Sequence, residues 1–446
     1  MKVVVIGCTH AGTAAVKTIL ADHPSAEVKV YERNDNISFL SCGIALYIAG
    51  QVKDPQGLFY SSPEELKKLG AQVHMRHDVL NVNVADKTIL VKDLLSGEEF
   101  VENYDKLIVT TGSWPIIPDL DGLDLENVQL CKNYQHAKDI FSRQVGKKKV
   151  VIVGAGYIGI ELVEAFRRQG SEVTLIDAQE RILNKYLDKE ITDILEAKLI
   201  EEGVQLKLNE KVKAFLGEKG KVSAVQTSKA SYPADLVVLC IGFRPNTDLV
   251  KGQVETLANG AIIVDDYMQT SVKDVYAAGD SCAVNYNPNN GHAYIPLATN
   301  AVRMGFLVGK NIVGEKMKYR GTQATSGLYL YGYNIGATGV TEASAREYGL
   351  DVDSVYLEDN YRPEFMPSTE KVYMKLVYEK ESKRIVGGQM MSKYDVTQSA
   401  NTLSLAIQTH QTVEDLALVD FFFQPVYDRP FNYLNILAQA ALAKEN

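Results

Sequence analysis

Short apolar runs that end in small-residue turns recur along the chain and predict buried, parallel β-strands. The first run, residues 2–6 (KVVVI), precedes the turn 7–12 (GCTHAG) and a predicted helix over about 13–21. A second strand follows and ends in Glu32. This order of strand, helix and strand is typical of an α/β fold with a parallel sheet covered by helices.

A second and cleaner copy of this pattern begins at residue 149. The apolar run 149–153 leads into 154–159 (GAGYIG), a predicted helix over 160–168 and a strand that ends in Asp177. In a complete G-x-G-x-x-G turn the glycines allow a tight bend, close approach of a pyrophosphate and close helix–strand packing. In the first copy Thr9 replaces the middle glycine. Glu32 and Asp177 both have the spacing of a ribose contact.

Two such units predict two bound dinucleotides, commonly FAD and NAD(H) with the nicotinamide against the flavin. The alternative is that one copy is structural and empty. Asp177 can accept hydrogen bonds from both hydroxyls of an adenosine ribose, whereas Ala178 and Gln179 supply no arginine for a 2′-phosphate. We therefore predict that NADH is preferred over NADPH.

Later strands also end at positions suited to a cofactor. Residues 104–113 and 236–242 each end in a small-residue turn, and residues 274–280 end in Asp280, whose carboxylate can bind a ribityl hydroxyl. Pro296 opens a further predicted helix. The N-terminus of that helix is expected to stabilise negative charge near the pyrimidine ring of a reduced flavin.

Cys42 follows a mostly apolar segment, 37–41 (ISFLS), and precedes a predicted short helix over 43–49. A sulfur at a helix N-terminus is favoured as the thiolate. Tyr47 occupies the position where disulfide reductases carry a second cysteine, so we expect a cycle through sulfenic acid rather than a disulfide. The alternative is that Cys42 is a small buried packing residue.

From about residue 321 the pattern changes to alternating strands such as 372–378, with one predicted helix over 399–409. We interpret this part as a separate α+β domain. It ends in an aromatic run, 421–425 (FFFQP), followed by Pro430 and Phe431. A subunit interface and burial in the domain's own core are both open explanations for these aromatic residues.

Composition narrows the class of protein. The 446 residues require two or three domains, and a net charge of −9 argues against nucleic acid and anionic membranes as partners. Five scattered cysteines indicate a reducing compartment. The first residues are interpreted as a strand and not as a signal peptide, and no stretch is apolar enough to cross a bilayer, so a cytoplasmic location is expected. His74 and His77 lack partners for a metal site, and no metal is predicted.

These motifs together resemble one branch of the flavoprotein disulfide reductases, the NADH oxidases and NADH peroxidases. The resemblance rests on residues 7–12, 38–43 (SFLSCG), 154–161, 278–280 (AGD) and 421–425. Within that branch, residues 7–13, 110–113 and 360–366 (NYRPEFM) resemble the water-forming NADH oxidases.

The resemblance implies a two-domain FAD/NAD-linked reductase fold with a C-terminal dimerisation domain. Residues 1–112 and 243–320 would bind FAD, 113–242 would bind NAD(H), and 321–446 would form a homodimer, or a tetramer of paired dimers. The implied reaction passes electrons from NADH through flavin to O₂. Cys42 then reduces the resulting peroxide to water and becomes a sulfenic acid, which a second NADH returns to the thiolate.

The resemblance also assigns residues. Cys42 and His10 are the expected catalytic residues, although a lone histidine in a turn is more often a packing or capping residue. The residues expected to bind a cofactor are Gly7, Thr9, His10, Ala11, Gly12, Glu32, Arg33, Cys42, Val79, Thr110, Thr111, Gly112, Ser113, Lys132, Gly154, Gly156, Tyr157, Ile158, Gly159, Glu161, Asp177, Tyr186, Gly242, Gly279, Asp280, Leu297, Ala298 and Thr299.

Some of these residues have more specific expected roles. Tyr157 is expected to stack on the flavin, and Tyr186 to contact the adenine or ribose of NAD. Glu161 is expected near the nicotinamide, or else is an acid favoured by the helix dipole. Lys132 is expected to pair with FAD phosphates, or else is a surface lysine. Arg303 is expected near the active site.

Three other functions remain open from the sequence. An NADH peroxidase would use the same Cys42 and His10 but react little with O₂. A coenzyme A disulfide reductase shares the single cysteine, although that group usually lacks a histidine at position 10. The third is a sensor that binds NAD(H) and signals through Cys42 without turnover.

Overall fold

The computed structural model describes residues 1–444, in which three five-stranded sheets dominate. The first elements are β1 (Lys2–Ile6), α1 (His10–Asp22), β2 (Glu27–Glu32), α2 (Ile44–Ile48), α3 (Pro63–Lys68), β3 (Gln72–Met75), β4 (His77–Asn83), β5 (Thr88–Asp93), β6 (Glu99–Asn103) and β7 (Lys106–Val109). Short 3-10 turns lie at Ser41–Gly43, Pro55–Leu58 and Asp248–Val250.

The central part of the chain follows in order. Its elements are β8 (Ser113–Pro115), β9 (Val128–Leu130), α4 (Tyr134–Arg143), β10 (Lys149–Val153), α5 (Tyr157–Arg168), β11 (Glu172–Ile176), α6 (Lys189–Glu201), β12 (Gln205–Lys207), β13 (Val212–Glu218), β14 (Lys221–Thr227), β15 (Ser231–Pro233), β16 (Leu236–Leu239) and β17 (Phe243–Pro245).

The remaining elements form the last third of the chain. They are β18 (Ile262–Ile263), β19 (Val275–Ala277), β20 (Cys282–Tyr286), β21 (Gly291–Ala293), α7 (Ala298–Asn311), β22 (Ser326–Leu330), β23 (Tyr333–Gly339), α8 (Glu342–Glu347), β24 (Val352–Asn360), β25 (Lys371–Glu379), β26 (Ile385–Ser392), α9 (Gln398–Gln408), α10 (Val413–Leu418) and α11 (Tyr433–Ala443).

Two parallel sheets repeat the same topology. The first has the order β19-β7-β1-β2-β3 and the second β12-β11-β10-β16-β9. Strand β19 joins the first sheet beside β7 although more than 160 residues of chain separate them, a stretch that includes the whole second sheet. The second sheet is therefore inserted between strands of the first. The exact boundaries 112/113, 242/243 and 320/321 remain predictions.

The third sheet is antiparallel, with the order β22-β23-β26-β25-β24, and carries α8 to α11 beside it. Every residue of β26 is buried, as expected for a strand whose two faces are both covered. The predicted fold class is confirmed: two Rossmann-like units and a C-terminal α+β unit.

Several helices begin earlier or later than the apolar pattern suggests. Helix α1 begins at His10 and α5 at Tyr157, so each helix begins inside its turn and not after it. Pro296 lies one residue before the N-cap of α7, Leu297, and not inside the helix. The predicted run 43–49 contains only the five-residue helix α2, preceded by the 3-10 turn at Cys42.

Candidate active site

One large cavity, of about 820 Å³, lies where the strands of the two parallel sheets end. It is lined by all but four of the cofactor-binding residues expected from the sequence. Those that line it are Gly7, Thr9, His10, Ala11, Glu32, Arg33, Cys42, Val79, Thr110, Thr111, Gly112, Ser113, Lys132, Gly156, Tyr157, Ile158, Glu161, Tyr186, Gly242, Gly279, Asp280, Leu297, Ala298 and Thr299. The size is that of a cavity for a large organic ligand.

The four exceptions are Gly12, Gly154, Gly159 and Asp177. The three glycines lie behind the cavity wall, where helix meets strand. A Cβ on Gly12 would meet the Gly7 carbonyl oxygen at 2.2 Å, and a Cβ on Gly159 would meet that of Gly154 at 1.9 Å. These glycines therefore allow the helix to pack closely against the turn, which is one of the roles of glycine in this motif.

The first turn bends sharply because Gly7 has a φ of +86°. Glu32 closes the turn from the neighbouring strand: its carboxylate accepts the Cys8 amide at 2.8 Å and the Asn34 amide at 2.9 Å. Burial raises the pKa of Glu32, and these backbone hydrogen bonds oppose that rise. Glu32 is thus a buried acid at the edge of the cavity, positioned by the turn that it supports.

Cys42 lies in the 3-10 turn before α2 and faces the cavity as a free cysteine. Burial raises the pKa of its thiol, and the Glu161 carboxylate raises it further, whereas Lys132 lowers it. The net direction is opposite to the one expected from a helix N-terminus. The five-residue helix α2 aligns few peptide dipoles, and burial together with the nearby acids outweighs them.

His10 is the first residue of α1 and lines the same cavity. Its Nδ1 lies 2.8 Å from the Tyr60 hydroxyl, which donates to the Thr9 carbonyl at 3.2 Å. With the hydroxyl proton on the Thr9 carbonyl, the hydroxyl accepts from Nδ1–H, and the lone pair of the neutral ring is then on Nε2. Nε2 is buried without a hydrogen-bond partner among the described residues. Burial lowers the pKa of His10, which favours this neutral form.

Lys132 lies at the centre of the cavity wall, not at a surface. Its Nζ donates to Ser113 Oγ at 2.8 Å and to Asp280 Oδ2 at 3.1 Å, and it lies 4.4 Å from the centre of the Phe243 ring. The sequence placed Lys132 at the cofactor phosphates. The structure places it beside Asp280, where its charge acts on Cys42 and His10, and its contact with FAD phosphates remains a prediction.

The start of helix α5 contributes Tyr157 and Glu161 to the cavity. The Tyr157 hydroxyl is 2.7 Å from Ser326 Oγ, and the Tyr157 and Tyr186 rings lie 4.1 Å apart. Burial raises the pKa of the Glu161 carboxyl to about 7. Glu161 can therefore hold or release a proton near neutral pH.

Arg303 lies outside the group of residues that line the cavity. It is exposed and donates to Asn300 Oδ1 at 2.9 Å.

Asp177 repeats the role of Glu32 in the second turn. Its Oδ2 accepts the Ala155 amide at 2.6 Å and its Oδ1 accepts the Gln179 amide at 2.7 Å. The carboxylate lies beside the glycine turn, at the expected place. Its contact with a ribose remains a prediction.

No local pattern marks Tyr60, which lies 50 residues from His10 and contacts it only in the folded chain. Cys131 and Cys240 also line the cavity. Burial raises the pKa of Cys131 to about 12 and that of Cys240 well above its ordinary value, which agrees with low reactivity.

Among residues 1–444, no group of three or more histidine, cysteine, aspartate or glutamate side chains is arranged to hold a metal ion. His74 packs against the Tyr31 ring at 5.0 Å. In the same part of the chain, no helix has the length and apolar character needed to span a membrane.

Comparison with known proteins identifies relatives along the whole chain. Residues 1–305 match the model of the pyridine nucleotide-disulphide oxidoreductases, and residues 325–433 match the dimerisation domain of the same proteins. An NADH oxidase of Enterococcus faecalis is 63% identical over 443 residues, 99% of each chain. An NADH oxidase of Streptococcus pyogenes is 42% identical over 455 aligned positions, 99% of each chain.

A solved structure agrees with these relatives. The water-forming NADH oxidase of Lactobacillus brevis, bound to NADH, is 58% identical and superposes with a TM-score of 0.98 over all of this chain and 98% of its own. The resemblance inferred from the sequence motifs is confirmed. The chain belongs to the pyridine nucleotide-disulphide oxidoreductase family, in the branch that contains the NADH oxidases.

Proposed function

We propose that this protein is an FAD-dependent NADH oxidase that reduces O₂ by four electrons to two molecules of water. The observation that carries the proposal is a free cysteine, Cys42, that shares a cavity with His10 and with residues of two dinucleotide-binding turns. The balanced reaction is O₂ + 2 NADH + 2 H⁺ → 2 H₂O + 2 NAD⁺. The names of the relatives support both the oxidant and the product.

The residues of the first turn fit FAD. Helix α1 begins without a side-chain cap, so its first amides are available to phosphate oxygens. Gly112 lines the cavity, and a Cβ there would meet no protein atom within 4 Å, so the absent side chain leaves room for a ligand. Glu32 and Asp280 add acceptors for ribose and ribityl hydroxyls. Bound FAD would supply a hydride acceptor for NADH and an electron donor for O₂.

The second turn fits NADH in the same way. Helix α5 also begins without a side-chain cap at Gly156, where a Cβ would again meet no protein atom within 4 Å. Asp177 beside the turn favours the free 2′-hydroxyl of NADH over the 2′-phosphate of NADPH. Comparison of kcat/KM for the two nucleotides tests this preference, and equal values would overturn it.

Cys42 and His10 would dispose of the peroxide formed from O₂. The Cys42 sulfur attacks one peroxide oxygen, the O–O bond breaks, and the second oxygen leaves as water when it receives the thiol proton. His10 Nε2, buried and without a partner, is the base in the cavity that can take this proton and deliver it. The resulting sulfenic acid takes up two electrons from a second NADH and two protons, which restores the thiol and releases water.

The neutral Cys42 thiol makes this base necessary. Because burial and Glu161 raise the pKa of the thiol, only a small fraction of Cys42 is ionised at neutral pH. A neutral His10 can take the proton as the sulfur attacks, and its lowered pKa keeps it neutral at rest. Both shifts keep the resting pair neutral, so the proton transfer has to accompany the attack of the sulfur.

The C-terminal domain would form a homodimer. Residues 325–433 match a dimerisation domain, and the aromatic run there is exposed: Phe422 keeps 72% of its surface and Phe423 keeps 47%. Of the two explanations left open by the sequence, this exposure favours an interface over burial in the domain's own core. Light scattering of the holoenzyme would test the dimer and the alternative tetramer.

We also propose a cytoplasmic location. The five cysteines are all free, which fits a reducing compartment. Fractionation of cells that produce the protein tests this proposal.

An oxygen electrode tests the reaction. With limiting NADH we expect one O₂ consumed per two NADH, and no oxygen returned when catalase is added. Replacement Cys42→Ser should raise consumption to one O₂ per NADH, with half of that oxygen returned by catalase, because peroxide then leaves the cavity. A variant that still forms only water would contradict the role of Cys42.

The same experiment separates the alternatives. An NADH peroxidase would consume added peroxide with NADH but little O₂, and a coenzyme A disulfide reductase would need its disulfide substrate. A sensor would oxidise no more NADH than there are protein molecules. Any of these results would overturn the proposal.

A further inference from the structure

The segment 182–190 connects the second glycine turn with the C-terminal domain, and we call it the strap. At one end, the Leu183 amide donates to the carbonyl of Ala155, in the middle of the turn, at 2.9 Å. Tyr186 follows, and its ring packs on Tyr157, the first residue of α5. The position of the strap therefore sets the position of Tyr186 against the turn.

The other end of the strap is held by Gln389 on β26 of the third sheet. The Asp188 amide donates to Gln389 Oε1 at 2.7 Å, and Gln389 Nε2 donates to Asp188 Oδ2 at 2.6 Å. Asp188 and Gln389 are both buried. A reciprocal pair of buried hydrogen bonds fixes direction as well as distance, since neither side chain has water as an alternative partner.

Lys375 on β25 adds a buried cation to this contact. Its side chain is 3% exposed, and its Nζ lies 2.8 Å from Glu190 Oε1, 2.7 Å from Glu342 Oε1 and 3.9 Å from Asp188 Oδ2. A buried ammonium is tolerated only when carboxylates surround it. Two of these three carboxylates belong to the strap, so movement of the strap would leave Lys375 with Glu342 as its one remaining carboxylate among these three.

The N-termini of two helices meet at the same point. Asp188 is the N-cap residue of α6, but its carboxylate does not cap that helix. Instead it accepts the amide of Glu342, the first residue of α8, at 3.1 Å. The strap is thus bound to a helix of the C-terminal domain as well as to two of its strands.

We propose that Lys375 and Gln389 are positioning residues for the pyridine nucleotide, which act through the strap on Tyr186 and the turn at Ala155. The inference rests on the proposed function, because it takes the second turn to be the NADH site. The C-terminal domain then has a role in nucleotide binding as well as in dimer formation. Neither residue lines the active-site cavity.

The test uses the holoenzyme with the substitutions Lys375→Met and Gln389→Leu. Lys380→Met serves as the control, since Lys380 lies at the exposed end of the same sheet and pairs with Asp351 at 2.6 Å. Hydrogen exchange of peptides covering 182–190 reports the strap, calorimetry reports NAD⁺ affinity, and kinetics report KM and kcat. Lys375→Arg keeps the charge and should restore most of the lost binding.

In both test variants the backbone amides of the strap should exchange hydrogen faster. NAD⁺ should bind about fivefold more weakly, because one or two hydrogen bonds are lost. KM for NADH should rise by a similar factor while kcat changes less than about twofold. If Lys375→Met does not fold, the Gln389→Leu variant tests the proposal by itself, because this substitution removes no charge. Faster exchange with unchanged NAD⁺ affinity, or no change in exchange, would overturn the proposal. If the wild type binds NAD⁺ but oxidises no NADH, the proposed function is wrong. The hydrogen exchange of the strap and the NAD⁺ affinities of the variants still test the role of Lys375 and Gln389 in that case.

Discussion

The two dinucleotide turns have the same backbone design but different surroundings. Gly7 and Gly154 begin the turns with φ values of +86° and +108°. In each copy the acid from the neighbouring strand accepts the amide that follows the first glycine, from Cys8 in one and Ala155 in the other. The local chemistry of the two sites is therefore nearly the same.

The surroundings of the two acids differ. Glu32 is 5% exposed and lines the large cavity, whereas Asp177 is half-buried and lies outside it. The acid beside the first turn therefore faces the cavity, while the acid beside the second turn lies outside it. The difference suits a permanently bound cofactor on the first turn and an exchanging substrate on the second. The two turns therefore differ in how their acids are placed relative to the cavity, and not in their glycine motifs.

The largest expected effect comes from a methyl group at the first glycine of each turn. A Cβ on Gly7 would meet the Thr110 oxygen at 2.6 Å, and a Cβ on Gly154 would meet the Cys240 oxygen at 2.3 Å. We expect Gly7→Ala to retain less than about a tenth of its flavin and to lose about 2 kcal/mol of stability. Gly154→Ala should keep its flavin but raise KM for NADH about tenfold.

Flavin absorbance per protein, chemical denaturation and steady-state kinetics measure these effects. Equal loss of flavin in both variants would contradict the division of the two turns between cofactor and substrate.

An intermediate effect is expected at Glu161, the residue of the second unit that reaches Cys42. Negative charge near a thiol disfavours the thiolate, so Glu161 raises the pKa of Cys42 and its removal should lower it. Glu161→Gln should move the pH midpoint of Cys42 alkylation down by about half a unit, while burial maintains the rest of the shift. Mass spectrometry of the Cys42 peptide after iodoacetamide treatment across pH measures this midpoint.

Glu172→Gln is the matched control, because Glu172 is an exposed acid at the start of β11. An unchanged or raised midpoint in Glu161→Gln would show that Glu161 does not act on the sulfur.

The smallest effect is expected where the first turn departs from the glycine motif. Thr9 is the N-cap residue of α1, but its side chain makes no cap hydrogen bond. Thr9→Gly should therefore change stability by only about 0.3 kcal/mol and leave the flavin in place. Thermal unfolding and flavin content measure this. Loss of flavin in Thr9→Gly would mean that the threonine itself holds the cofactor.

Sequence reasoning found most of the site because the ends of parallel strands are marked by local signals. Thr110, Gly242 and Asp280 each follow an apolar run, and in a parallel sheet such ends meet at one edge. The same reasoning did not predict the contact of Lys132 with Asp280, since nothing near residue 132 indicates that it meets a residue 148 positions later. It also missed Tyr60 for the same reason.

The sequence by itself determined the two strand–turn–helix units, the acids that follow them and the solitary cysteine, because short-range patterns of apolar residues and glycines specify local backbone. Only the tertiary structure decided the ionisation of Cys42, the free nitrogen of His10 and the attachment of the strap to Lys375. Burial and the distances between charges depend on residues that are far apart in the chain, and these two quantities set the pKa of a side chain and the strength of an ion pair.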